Sequence, residues 1–107
     1  MSTVQHGKLV RDLIPEIISD AGKSCVTRTL TDDEYLAALD TKLSEELAEY
    51  QADKSMEELA DLLEVMMAVA EARRHSFSEV EAIRQAKAAK RGGFRKRIWL
   101  ESVHTPE

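Results

Sequence analysis

The chain has 107 residues, enough for one domain with a modest hydrophobic core. Charged residues make up 33% of it, and it has only 2 prolines and 4 glycines, a composition typical of a helical protein. The net charge of −5 argues against duplex nucleic acid as a stable partner.

The cysteine content and the apolar runs bear on location. Cys25 has no second cysteine to pair with, which fits a reducing compartment, and we expect this side chain to be half-buried. The longest apolar run, residues 65–70, is too short to cross a bilayer, and no apolar signal core occurs near the N-terminus. We therefore expect a cytoplasmic protein without a membrane partner.

The first predicted helix follows the segment KLVRD and is about ten residues long. Asp12 is its expected N-cap, and Pro15 then falls in the first turn, where the missing N–H costs nothing. Gly22 is the expected C-terminal cap residue. The apolar face would contain Leu13, Ile14, Ile17 and Ile18.

Two short segments predict strands. Residues 24–30, SCVTRTL, contain β-branched side chains in rough alternation, and residues 97–101, RIWLE, form the second segment. Because a lone strand leaves its backbone groups unpaired, we expect these two segments to pair. Trp99 is expected to pack against the body and anchor the tail.

Three long helices account for most of the remaining chain. Thr31, with a glutamate three residues later, predicts a capping box and a helix over about residues 33–52. Ser55 repeats this spacing with Glu58 and begins a helix that continues to about Arg74. Ser78 is the expected cap of the last helix, which ends near residue 90, before a glycine pair.

These elements predict an all-α fold in a single domain that spans residues 1–107. We expect an antiparallel helical bundle in which two long helices have acidic edges and shorter helices flank them. A minor two-stranded β-ribbon would complete it.

Each of the two long helices beside the 53–55 turn carries two carboxylates three residues apart, and both pairs flank an apolar stripe. On the second of these helices the stripe consists of Leu59, Leu62, Leu63, Met66 and Val69. Antiparallel packing on these stripes would bring together Glu46, Glu49, Glu58 and Asp61. Such a group raises its own pKa values unless a cation is present, and oxygen ligands suit Mg²⁺ or Mn²⁺. The alternative is a solvated acidic face, because such pairs are common in helices.

Basic residues cluster near both ends of the chain, and four of them are candidates for phosphate binding: Lys8, Arg11, Lys87 and Arg91. They could instead balance an acidic surface or cap a helix end. Metal ligands close to basic side chains are the arrangement that phosphoryl chemistry requires.

Four segments together resemble one family in order along nearly the whole chain: KLVRDLIPEII at 8–18, EELAEY at 45–50, EELADLLEV at 57–65, and the K…RGGF…RIWLE tail at 87–101. They are similar to the MazG-like, phosphoribosyl-ATP pyrophosphohydrolase-like family of the all-α nucleoside triphosphate pyrophosphohydrolase superfamily. Its signature is an E-x-x-E pair followed on the next helix by E-x-x-D, which the two acidic pairs match.

The resemblance implies a Mg²⁺-dependent enzyme that cleaves between the α and β phosphates of a nucleotide, including house-cleaning removal of unwanted nucleotides. Metal ligands would be Glu46, Glu49, Glu58 and Asp61, with one of them or a neighbour orienting the attacking water. Phosphate contacts would come from Lys8, Arg11, Lys87 and Arg91. The resemblance also implies a homo-oligomer, a dimer or tetramer.

Alternatives stay open for the metal ligands and for the function. Only eight residues, 50–57, separate the two acidic pairs, and this spacer is shorter than in many members of the superfamily. If the helices slip in register, the substitutes are Glu45, Asp53, Glu57 and Glu64. The alternative functions are a phosphoribosyl-ATP pyrophosphohydrolase and a non-catalytic helical module that binds a nucleotide or a protein.

Overall fold

The computed structural model describes residues 2–3, 5 and 7–106, and this part of the chain contains four α-helices. They are α1 (Ile14–Asp20), α2 (Asp32–Asp53), α3 (Met56–Ala72) and α4 (Phe77–Arg91). The prediction of an all-α fold is confirmed. The chain divides into two compact units, Met1–Phe77 and Ser78–Glu107.

The predicted β-ribbon is wrong, because no strand occurs anywhere in the described ranges. Residues 24–30 are irregular, Val26 is fully exposed, and Cys25 is exposed rather than half-buried. Residues 97–101 are also irregular, and Trp99 is 85% exposed instead of anchoring the tail. β-Branched composition indicates only that a segment would suit a half-buried pleated surface, and a strand forms only where a partner supplies one.

The start of α1 differs by one residue from the prediction. Leu13, not Asp12, occupies the N-cap position, and no side chain caps this end. The Ile14 N–H donates instead to the Arg11 carbonyl at 3.1 Å, which ties the preceding segment to the helix. Pro15 lies in the first turn as predicted.

The predicted glycine cap of α1 is confirmed. Gly22 has a φ of +79°, and its N–H donates to the Ser19 carbonyl at 3.0 Å. The Lys23 N–H donates to the Ile18 carbonyl at 3.2 Å, which completes a Schellman motif. Because this motif needs a left-handed residue, glycine at position 22 ends the helix at low cost.

Helices α2 and α3 form an antiparallel hairpin through a two-residue turn. Lys54 ends α2 in the left-handed region, with a φ of +58°. Ser55 then caps α3, because its Oγ accepts from the Glu58 N–H at 3.2 Å. Away from the turn, Arg73 Nη2 lies 3.8 Å from Asp40 Oδ2, so the C-terminal end of α3 lies beside the middle of α2.

The other end of α2 is capped as the sequence predicts. Thr31 Oγ1 accepts from the Glu34 N–H at 3.3 Å, and the Glu34 carboxylate accepts from the Thr31 N–H at 3.1 Å. This reciprocal capping box satisfies two backbone donors in the first turn. Arg28 also binds Glu34 through two N–H groups, and these hydrogen bonds, together with the one from the Thr31 N–H, lower the pKa of Glu34 to about 2.

The hydrophobic core lies between α2 and α3 and is thin. Within the described part of the chain, the buried hydrophobic residues are Leu39, Val65 and Ala70. Val65 and Ala70 were not in the predicted apolar stripes. Three members of the predicted α3 stripe remain 38–45% exposed: Leu59, Leu63 and Met66. Helix α3 is apolar around most of its circumference, so packing on α2 covers only one of its faces.

Helix α4 begins at Phe77, and all its later residues belong to the second unit. Ser78 therefore lies within its first turn instead of capping it. None of its described residues is buried, and Ile83 is 60% exposed. The helix ends at Arg91, and Gly92 follows with a φ of +85°, as the glycine pair predicts. Over the described ranges, no helix combines the length and the apolar character that a bilayer span requires.

Candidate metal centre and adjoining cleft

Three carboxylates from the two arms of the hairpin converge near its turn. Helix α2 supplies Glu46, and α3 supplies Glu58 and Asp61. One carboxylate oxygen from each residue lies within 4.8 Å of the other two. We call these three residues the carboxylate cluster. It forms because antiparallel packing places the two acidic edges opposite one another, without the register slip that the short spacer could have caused.

Burial leaves two oxygens of the cluster without hydrogen bonds from the protein. Glu46 is only 7% exposed, and its Oε2 has no partner in the structure. Glu58 Oε2 is likewise buried without a partner. An unpaired buried acceptor is costly, more so when it is charged, so these oxygens favour binding of a cation or a proton.

The pKa values of Glu46 and Glu58 also indicate that the cluster favours a bound cation or proton. Burial raises the pKa of Glu46, and the charge of Glu49 and a hydrogen bond with it raise this pKa further, while Lys42 opposes the rise. Burial also raises the pKa of Glu58. A hydrogen bond with Glu49 and the charges of Glu49, Asp61 and Asp53 raise this pKa further. The protein therefore destabilises the fully ionised cluster.

Glu49 stands at the edge of this group. It is exposed, and it is not among the three residues whose oxygens meet within 4.8 Å. Its influence on the pKa values of Glu46 and Glu58 nevertheless places it beside both carboxylates. The structure thus brings three of the four predicted ligands together and leaves the fourth adjacent to them.

Two cationic side chains contact the cluster. Arg11 Nη2 donates to Asp61 Oδ1 at 2.8 Å. Lys42 Nζ lies 3.4 Å from Glu46 Oε1 and 3.5 Å from Glu45 Oε2, and its side chain is 19% exposed. Lys42 is not among the predicted site residues, although its position four residues before Glu46 on one helix is a usable signal.

A cleft of about 580 Å³ adjoins the cluster, lined by the segment before α1, by α1 itself and by α2 and α3. The charged residues that line it are Arg11, Asp12, Lys42, Glu46, Asp61, Glu64 and Glu71. Tyr35 precedes Glu46 by 11 residues on α2 and so lies roughly 16 Å further along the helix axis. Apolar residues that line the cleft include Leu13, Ile17, Tyr35, Leu39 and Met67.

The other predicted site residues lie elsewhere. Lys8 is exposed and precedes the residues that line the cleft, whereas Lys87 and Arg91 are exposed on α4 in the second unit. Of the substitute ligands, Glu45 pairs with Lys42, and Glu64 lines the cleft. Phosphate binding by Lys8, Lys87 and Arg91 stays a prediction.

The donor set fits a hard divalent cation. Its three ligand atoms are carboxylate oxygens, which Mg²⁺ and Mn²⁺ prefer, whereas zinc sites favour nitrogen and sulfur. The unpartnered buried Oε2 atoms of Glu46 and Glu58 add an observation independent of clustering. Glu46, Glu58 and Asp61 are therefore the residues that could hold such an ion.

Comparison with known proteins identifies a partial relative. Over 45 residues the chain is 62% identical to an uncharacterized protein from Mycolicibacterium smegmatis. The matched segment covers 42% of this chain and 46% of that protein, so the chain spans less than half the length of this relative. No protein-family model and no solved structure matches the chain.

Proposed function

We propose that this protein is a Mg²⁺-dependent nucleotide pyrophosphohydrolase that hydrolyses a nucleoside triphosphate to a monophosphate and pyrophosphate. The observation that carries the proposal is Glu46, a buried carboxylate with an unpartnered oxygen in a cluster of three. Glu46 and Asp61 of the cluster also line the cleft, and the cleft volume of about 580 Å³ lies within the range of small-molecule sites. The family resemblance of the acidic pairs supports the same reaction.

Each member of the site has a proposed role. Glu46, Glu58 and Asp61 hold Mg²⁺, with Mn²⁺ as a substitute, and the bound ion supplies charge neutralisation at the phosphate oxygens. Glu49 orients the attacking water, because its exposed carboxylate lies beside Glu46 and Glu58 without being one of the three clustered ligands. Water adds to the α-phosphorus, and pyrophosphate leaves.

The rest of the cleft suits the remaining parts of a nucleotide. Arg11 is a phosphate-binding side chain beside the cluster, since a guanidinium can bind phosphate through two N–H groups. Tyr35 and the apolar residues near it would accommodate the base, which needs a less polar surface.

The proposal extends to location and assembly. We place the protein in the cytoplasm, where the exposed thiol of Cys25 stays reduced. We also propose a homo-oligomer, a dimer or tetramer, because the apolar stripe of Met56, Leu59, Leu63 and Met66 on α3 is 38–68% exposed.

Pyrophosphate release from a panel of ordinary and modified nucleoside triphosphates, with Mg²⁺ and with chelator, tests the reaction. Phosphoribosyl-ATP belongs in the panel. We expect release that requires the cation, and a loss of about a hundredfold or more in Glu46→Gln and Asp61→Asn. Circular dichroism would show that these variants keep their helices.

Glu57→Gln is the matched control, because Glu57 is exposed in the first turn of α3 and lies outside the cluster. It should retain activity. If no nucleotide in the panel is hydrolysed, the enzyme proposal is wrong and a non-catalytic helical module becomes the better reading. Hydrolysis of phosphoribosyl-ATP alone would instead narrow the reaction to that substrate.

A further inference from the structure

Arg11 holds a carboxylate that the proposed metal centre also needs. Its Nη2 donates to Asp61 Oδ1 at 2.8 Å, and Asp61 is one of the three clustered carboxylates. A cation bound by Asp61 and a guanidinium bonded to the same carboxylate repel each other as like charges. Metal binding and the Arg11–Asp61 ion pair therefore oppose one another.

The ion pair is weak enough to be displaced. The Arg11 and Asp61 side chains are 56% and 42% exposed, and exposed pairs contribute little to stability because water screens them. The Arg11 backbone, in contrast, is held by the hydrogen bond from Ile14. Displacement would thus release the guanidinium while its Cα stays at the edge of the cleft.

A released Arg11 has a second partner available. It lines the same cleft as Glu46 and Asp61, where the proposed substrate places its phosphates. A guanidinium binds phosphate oxygens through charge-assisted hydrogen bonds, and these are stronger than neutral ones. The buried, unpartnered Oε2 of Glu46 shows separately that the cluster is prepared for a cation.

We propose that Arg11 is an internal counterion that competes with the divalent cation for Asp61 and, once displaced, binds the polyphosphate of the substrate. This inference rests on the proposed function. Its consequence is positive coupling, since each ligand makes the other bind more tightly. The free protein would then bind polyphosphate poorly until the cation is present.

The competition between Arg11 and the cation for Asp61 is tested by Mn²⁺ titration of the full chain. Calorimetry or electron paramagnetic resonance measures the affinity without turnover. We expect Arg11→Gln to bind Mn²⁺ about two- to fivefold more tightly than the wild type, which is the range an exposed ion pair supplies. Lys23→Gln is the matched control for charge, because it removes one positive charge from an exposed residue outside the cleft, and it should not change the affinity. In an Asp61→Asn background, Arg11→Gln should have no effect.

Binding of inorganic pyrophosphate at saturating Mn²⁺ tests whether the displaced Arg11 binds the polyphosphate. Arg11→Gln should weaken pyrophosphate binding about tenfold, because a hydrogen bond between charged groups is lost. Arg28→Gln removes an arginine that pairs with Glu34 outside the cleft, so it should bind pyrophosphate like the wild type. A purely structural Arg11 would not produce tighter Mn²⁺ binding together with weaker pyrophosphate binding.

The outcomes separate this inference from the proposed function. Mn²⁺ affinity in Arg11→Gln that equals or falls below the wild-type value overturns the competition, as does equal tightening in the Asp61→Asn background. Unchanged pyrophosphate binding overturns the second role of Arg11. Absence of Mn²⁺ binding in every variant overturns both proposals. The expected Mn²⁺ and pyrophosphate results without hydrolysis of any nucleotide would overturn only the proposed reaction.

Discussion

Glu46 and Glu49 show how differently two neighbouring carboxylates can be placed. They lie three residues apart on α2, yet Glu46 is 7% exposed and unpartnered at Oε2, whereas Glu49 is exposed. Burial and the nearby charge of Glu49 raise the pKa of Glu46 despite its contact with Lys42. Glu46 is thus a residue at which the folded state favours a bound cation or proton.

The raised pKa values of Glu46 and Glu58 determine a pH dependence of stability. Because the folded state binds these protons more tightly than the unfolded state, the contribution of these two groups to stability is fully present below the unfolded pKa and is lost as pH rises through the folded values. Glu46→Gln resembles the protonated carboxyl, so without metal it should melt a few degrees above the wild type at pH 7. Thermal melts between pH 5 and 7 in chelator measure this, and the variant should show a smaller change across the range.

A divalent cation should reverse the order of the two proteins. Mg²⁺ should raise the melting temperature of the wild type at pH 7, since a ligand that binds only the folded state stabilises it, and should leave Glu46→Gln nearly unchanged. Glu57→Gln should follow the wild type in both conditions. A lower melting temperature for metal-free Glu46→Gln than for the wild type would contradict the argument.

At the scale of elements, the α2–α3 hairpin positions the cluster. The Ser55 cap is adjacent in sequence to the first turn of α3, which contains Glu58, whereas the Thr31 capping box lies at the far end of α2. Both caps satisfy backbone donors, but only the Ser55 cap holds the backbone N–H of a cluster residue. The two ends of the hairpin should therefore affect the site differently.

Ser55→Ala and Thr31→Ala form a matched pair that tests this difference. Each should lower the free energy of unfolding by about 1 kcal/mol, as measured by urea denaturation. Ser55→Ala should also weaken Mn²⁺ binding, because the first turn of α3 loosens around Glu58, whereas Thr31→Ala should leave the affinity unchanged. Equal Mn²⁺ affinities in the two variants would show that the cap does not position Glu58.

At the scale of the whole molecule, more large apolar side chains are exposed than are buried in the thin core. Leu39, Val65 and Ala70 are the buried hydrophobic residues of the described chain, while α3 presents a second stripe to the outside. The residues of that stripe recur at intervals of three and four: Met56, Leu59, Leu63 and Met66. This spacing creates one continuous face, which suits packing against another helix.

Leu63→Asp tests whether this face joins copies of the chain. The molar mass of the wild type, measured by analytical ultracentrifugation or by light scattering after gel filtration, should be that of a dimer or tetramer. Leu63→Asp should shift this mass toward the monomer, because the substitution buries a charge at the contact. Ala48→Asp adds the same charge at an exposed position on the side of α2 away from Leu39, and it should assemble normally. A monomeric wild type would exclude the proposed oligomer.

Features that depend on short stretches of chain were predictable. Capping at Thr31 and Ser55, the proline in the first turn of α1 and the glycine ends each depend on residues within one or two turns. Two strands were predicted with the same kind of reasoning and are absent, because a strand needs a distant partner that local composition does not reveal.

The sequence alone therefore determined the helices, the caps at Thr31 and Ser55 and the two acidic edges, because these follow from helical periodicity and local hydrogen bonding. Only the tertiary structure decided which carboxylates meet. Packing of α3 on α2 buried Glu46 and left Glu49 exposed, and the segment before α1 brought Arg11 against Asp61, fifty residues away in the chain. Burial and pairing depend on the partner surface, and a side chain's own helix does not encode that surface.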